Sequence, residues 1–112
     1  MMGGSSVPVA LDLDHLSRQT MGDGELQKEV LSLFVNQLDA FERDIVQAPP
    51  ARRRELLHGL KGAARGLGAF TIAEGAAALE SDPADEDKLA VLLCSFEELR
   101  AIAASQIAGS PR

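Results

Sequence analysis

Apolar residues recur at helical intervals along most of the chain. Between Glu25 and about Gln47, the residues Leu26, Val30, Leu33, Phe34, Leu38, Phe41 and Ile45 recur at steps of three or four, apart from the adjacent pair Leu33-Phe34, which is the spacing of one side of an α-helix. Leu31 and Val35 widen that stripe and predict neighbours on two sides. Ala48-Pro49-Pro50 ends the helix, because proline lacks a backbone donor and disfavours helix at the residue before it. The next helix is predicted from about Ala51 to Leu67, with Leu56, Leu57, Leu60, Ala64 and Leu67 inward and Gly66 and Gly68 loosening its end. Thr71, with Glu74 three residues later, has the form of a capping box for a shorter helix that buries Ile72, Ala76 and Leu79 and closes at Ser81-Asp82-Pro83. The last helix is predicted from near Ala84 to about Ile107. Acids occupy its first turn, and Leu89, Leu92, Phe96, Leu99 and Ala103 form its inner face. Ahead of these, Leu11 to Gly22 holds a short helix capped by Asp12 or Asp14, with Leu11, Leu13 and Leu16 inward, before Met21-Gly22-Asp23-Gly24 breaks the chain. The pattern predicts an all-α fold: an antiparallel up-down four-helix bundle with a short additional N-terminal helix. It occupies residues 9–108, between a flexible Gly/Ser-rich tail at 1–8 and a C-terminal tail at 109–112.

Composition agrees with that picture. With 46% hydrophobic and 25% charged residues the chain is expected to fold as one domain, and 4% aromatic content favours helices over a β-sandwich. The longest apolar run, Leu89 to Cys94, is far short of the ~20 residues that cross a bilayer. Met1 to Ser6 has neither the basic start nor the apolar stretch of a secretory signal, so a cytoplasmic location is expected. Cys94 is the sole cysteine, so it forms no internal disulfide and no CxxC pair, and is read as inert. A net charge of -6 argues against non-specific nucleic-acid binding. The charge is uneven, however. From Ala51 to Phe70 five basic residues (Arg52, Arg53, Arg54, Lys61, Arg65) face one acid (Glu55), a local charge of +4 against -10 elsewhere.

That basic stretch also carries the candidate chemistry. His58, Lys61, Gly62 and Arg65 stack in one row on a helix, opposite the main leucine row, so His58 is expected to face water. Gly59 and Gly62 flank the histidine in mid-helix, where each costs about 0.5–1 kcal/mol relative to alanine. A bare surface there makes sense if something bulky must approach the imidazole. Lys61 lies one turn on and can neutralise an anion attached to His58. A phosphoryl group is the natural anion, since imidazole is a competent nucleophile near neutral pH and phosphoryl transfer depends chiefly on positioning and charge neutralisation. No Walker loop, second nucleophile or metal-ligand cluster accompanies the histidine, which points to a phosphoryl carrier without its own ATP-dependent kinase activity.

The stretch from Leu57 to Ala69 resembles the H-x-L-K-G-x-x-x-x-L-G-A signature of histidine-containing phosphotransfer (HPt) domains, and the likeness extends over roughly Leu11 to Ile107. The resemblance implies that His58 is the phosphoacceptor through Nε2, that Lys61 steadies the phosphoryl oxygens and that Gly62 leaves room for the partner. Glu80 falls where related domains carry a Gln or Glu that bonds the other ring nitrogen and orients the imidazole. It further implies a response-regulator receiver domain and a hybrid sensor kinase as partners, a magnesium ion held by the receiver and not by this chain, and a monomeric state. Gly59, Gly62, Arg65 and Arg54 are the expected partner-binding residues. Gly59 stands where the family has a bulkier residue, and Ala63 and Ala64 where serine is common, which predicts altered partner fit or helix stability.

Plainer readings stand beside these. Arg52, Arg53 and Arg54 together form either a solvated helix start or a docking patch, and His15 is read as a surface residue of the first helix. Phe34, Phe41, Phe70 and Phe96 are read as core. The alternative function is a non-catalytic helical docking module for a receiver domain or a partner helix. A histidine-kinase fragment is disfavoured, because an ATP-binding domain does not fit in 112 residues.

Overall fold

A computed structural model describes residues 9–108. They form five α-helices: α1 (Leu13–Gln19), α2 (Gly24–Gln47), α3 (Pro50–Leu67), α4 (Phe70–Ser81) and α5 (Glu86–Ala108). The tails expected at 1–8 and 109–112 lie outside the described residues. Most helix ends have local causes. The carboxylate of Asp12 accepts from the His15 amide at 3.0 Å, that of Asp23 from Leu26 at 3.1 Å and that of Asp85 from Lys88 at 3.0 Å, each satisfying an orphan donor of a first turn. Pro50 opens α3, where its missing N–H is not needed. Gly68, at φ 100°, closes α3 in the left-handed region, with its own N–H and that of Ala69 bonded to the Ala64 carbonyl at 3.0 and 2.9 Å. A Cβ at Gly68 would also lie 3.1 Å from the His15 ring and 3.2 Å from the Asp12 carbonyl, so this glycine is needed for space as well as for conformation.

The start of α4 departs from expectation. Thr71 does not cap it: the helix begins at Phe70, preceded by Ala69, and no side chain caps it. The N-terminal segment lies across this corner instead. Val9 offers its carbonyl to the Thr71 amide at 3.0 Å, and the Asp12 amide donates to the Gly68 carbonyl at 2.9 Å. A long-range backbone contact thus takes part of the work that a capping box does locally.

α2 packs on α3 and α5, and α4 packs on α3 and α5, so these four helices close a ring, while α1 lies against α2 and α3. The core holds Leu31, Leu38 and Ile45 of α2, Leu57 and Leu60 of α3, Ile72 and Leu79 of α4, and Leu92, Phe96 and Leu99 of α5, with Leu16 from α1. The inward stripes of the last three helices are therefore largely as the spacing predicts, although Leu56 is only half-buried. Three leucines are not inward: Leu13 is 44% exposed, Leu26 37% and Leu33 63%. Leu33 and Phe34 point about 100° apart on a helix. Phe34 takes the core, and Leu33 is left outside. Of the other aromatics, Phe96 is core, Phe41 half-buried, and Phe70 half-buried and edge-on to the His15 ring at 5.6 Å.

Two polar side chains, His15 and Arg53, have structural roles that the linear pattern did not separate from the surface. His15 is half-buried and its Nε2 lies 3.0 Å from the Gly66 carbonyl, so the nitrogen carries a proton and closes a free carbonyl at the end of α3. Arg53 is buried. Its Nε donates to the Ile45 carbonyl at 2.8 Å, Nη2 to Val46 at 3.2 Å and Nη1 to Pro83 at 2.7 Å. One guanidinium thereby ties the end of α2, the start of α3 and the connection from α4 to α5. On the far side, Arg100 of α5 straps α2 through Asp39 at 2.9 Å and Glu42 at 2.7 Å, with its guanidinium 5.8 Å from the Phe96 ring. Among the described residues no helix is long and apolar enough to cross a membrane.

Candidate functional site

α3 holds His58 near its middle, on the face away from Leu57 and Leu60. The side chain is 74% exposed. Its Nδ1 lies 3.2 Å from Oε2 of Glu80, in the last turn of α4. The other oxygen of that carboxylate, Oε1, accepts from the Lys61 ammonium at 2.8 Å. An ionised carboxylate only accepts, so in the neutral imidazole this contact places the proton on Nδ1 and leaves the lone pair on the exposed Nε2. One carboxylate therefore orients the imidazole and holds the cation next to it.

The hydrogen bond from Lys61 holds the Glu80 carboxyl below the usual carboxylate range; partial burial opposes this, and the His58 bond adds to it. Glu80 is accordingly charged at neutral pH. Its backbone carbonyl accepts from Arg54 Nε at 3.2 Å. Arg54, His58 and Lys61 thus meet the C-terminal end of α4, where the helix dipole is negative and cations are favoured.

The expected site residues are only partly brought together. His58, Lys61 and Glu80 form one cluster. Gly62 is exposed, and a Cβ there would meet nothing within 4 Å, so the surface beside the imidazole is bare. Gly59 is exposed but turned toward α2, where a Cβ would touch the Phe41 ring edge at 4.0 Å, so it does not open the same space as Gly62. Arg65 is exposed one turn beyond Lys61. The basic triplet does not act as one patch: Arg52 pairs with Glu55 at 2.9 Å, Arg53 is buried, and Arg54 is held on the Glu80 carbonyl. The basic side chains left on the His58 face of α3 are Arg54, Lys61 and Arg65.

A groove of about 380 Å³ runs on the α1 and α2 side of α3, lined by Leu16, Thr20, Leu26, Val30, Leu33 and Phe34, with Ala63 and Gly66 from α3 completing it. The sequence pattern assigned Leu26 and Leu33 to the core and so missed this apolar surface. The signal that could have found it is the width of the apolar stripe on α2, since Leu31, Leu33, Phe34 and Val35 together cover more of the helix than one buried face takes. Cys94 is exposed on α5, away from these residues in the chain. Comparison of the chain with protein-family models, with curated proteins and with solved structures finds no match.

Proposed function

We propose that the protein is a histidine phosphotransfer carrier of a two-component phosphorelay, with α2 to α5 read as an antiparallel up-down four-helix bundle and α1 as its additional helix. The observation that carries this reading is the shared carboxylate. Glu80 accepts from Nδ1 of His58, which leaves an exposed nucleophilic Nε2, and the same carboxylate keeps the Lys61 ammonium beside it. In the forward step the Nε2 lone pair attacks phosphorus of a receiver-domain phosphoaspartate. The acyl phosphate P–O bond breaks, and the aspartate leaves as a carboxylate. Nδ1 retains its proton, so the product is a phosphorylated imidazolium whose positive charge is paired with Glu80. Lys61 exchanges part of its contact with Glu80 for a phosphoryl oxygen. The reverse step on a second receiver passes the group on, and the magnesium ion belongs to the receiver.

Bare Gly62 admits the partner, and Arg65 extends a positive row that complements an acidic receiver surface, which speeds encounter more than it deepens affinity. A hybrid sensor kinase is the expected upstream source, and a cytoplasmic monomer is the expected form. The test is incubation with phosphorylated receivers. The wild-type chain should gain an acid-labile, base-stable phosphoryl group, and His58→Gln should lose it while remaining folded, because the residue is 74% exposed. Label persisting on the variant would assign the chemistry to another side chain. The groove with its exposed Leu33 favours one second reading, a docking module for a partner helix, and binding of receivers with no transfer by the wild type would select it.

A further inference from the structure

We infer that Arg54 is a positioning residue for the phosphoacceptor: it holds the last turn of α4 so that the Glu80 carboxylate stays between His58 and Lys61. Its catalytic consequence rests on the phosphotransfer reading; its geometric basis does not. The Glu80 carbonyl is among the last four of α4 and lacks an intrahelical donor. Two of the nearby amides are committed elsewhere, Asp82 donating to Leu79 at 3.0 Å and Asp85 to Asp82 at 3.0 Å, and Pro83 has no amide hydrogen to offer. Arg54 Nε, at 3.2 Å, supplies the donor. Three residues further on, Arg53 Nη1 holds the Pro83 carbonyl at 2.7 Å. Consecutive residues of α3 therefore hold the last turn of α4 and the connection just after it, one bond exposed and one buried.

That grip matters because Glu80 must satisfy two donors at once, Lys61 at 2.8 Å and His58 at 3.2 Å. Hydrogen bonds of this kind weaken once they stretch past about 3.2 Å, and the one to His58 is already there. If the end of α4 drifts, the ammonium of Lys61 can follow on its flexible stem. The short, rigid imidazole cannot. The His58 bond is the first to be lost, and with it the preference for the proton on Nδ1.

The full-length chain, labelled with ¹⁵N, reports this through the imidazole nitrogens, whose shifts give the ratio of the Nδ1–H to the Nε2–H form of His58. Glu80→Ala sets the unpaired limit. Arg54→Ala and Arg54→Met, which have no donor, should move the ratio toward that limit by about fivefold, the equivalent of one ordinary hydrogen bond, while Arg54→Lys, which can still donate to a carbonyl, should stay near wild type. Unchanged thermal unfolding would show that the fold is intact. Phosphoramidate provides a partner-free check: Nε2 attacks phosphorus, the P–N bond breaks, ammonia leaves and the proton stays on Nδ1. The initial rate should fall in proportion to the Nδ1–H fraction. An unchanged tautomer ratio in both Arg54→Ala and Arg54→Met would overturn the inference, and slowed transfer from a phosphorylated receiver beside it would make Arg54 a partner contact. A wild-type protein inert to phosphoramidate and to receivers would remove the phosphotransfer reading, while the tautomer ratio would still decide the positioning role.

Discussion

Arg53 offers the sharpest test of the packing described above. Replacing it with methionine keeps an unbranched apolar stem and removes the guanidinium, leaving the carbonyls of Ile45, Val46 and Pro83 without their donor. Two of those bonds, to Ile45 and Pro83, are buried, and the one to Val46 is partly so. A hydrogen bond to a charged group contributes about 1.5–3 kcal/mol, and a stranded buried acceptor costs a similar amount. Water can reach the last carbonyls of α2 once the side chain is gone, so the full sum is not expected. Working from the two buried bonds, Arg53→Met should destabilise by about 3–5 kcal/mol, a large share of the ~5–15 kcal/mol typical of a domain. Arg52→Met is the control, because Arg52 makes only an exposed pair with Glu55, of a type worth at most about 1 kcal/mol. Urea unfolding followed by circular dichroism measures both. If the two variants fell within about 1 kcal/mol of each other, the assignment of Arg53 as the tie between three segments would be wrong.

The remaining predictions concern the site. Because Glu80 has its carboxyl held below the ordinary value, the unfolded chain binds more protons as pH falls, so its contribution is fully present above the ordinary carboxylate range and is lost as pH drops through the depressed folded value. The stability difference between wild type and Glu80→Gln should therefore shrink between neutral pH and about pH 3; urea midpoints at the two pH values that differ equally would contradict the pairing. Gly62→Ala should stabilise α3 by about 0.5–1 kcal/mol, since the added Cβ meets nothing and alanine is the better helix former. The same substitution should slow transfer from a receiver more than phosphorylation by phosphoramidate. A lowered melting temperature would show that the bare position is needed by the fold itself.

These predictions separate residues that look alike in the chain. Arg52, Arg53 and Arg54 are adjacent and chemically identical, yet one is a surface pair, one a buried tie and one a brace for Glu80. Successive helix positions point about 100° apart, so three neighbours on α3 face solvent, the joint with α2, and the end of α4. The same rotation explains why Phe34 is buried while Leu33 beside it is left exposed.

Helix existence and most helix limits were legible from local chemistry. Aspartates at caps, proline at a first turn, glycine in the left-handed region and apolar spacing all act within a few residues, and the row of His58, Lys61, Gly62 and Arg65 follows from the geometry of one helix alone. Which residue would face that row from another helix was not a local matter; the family resemblance pointed to Glu80, and the register of α3 against α4 brings it within hydrogen-bond reach of both His58 and Lys61. The start of α4, the half-burial of His15, the burial of Arg53 and the exposure of Leu33 likewise depended on where neighbouring segments lie. Periodicity tells which residues share a face, whereas burial and cross-helix bonding are set by what that face meets, and only the packed chain determines that.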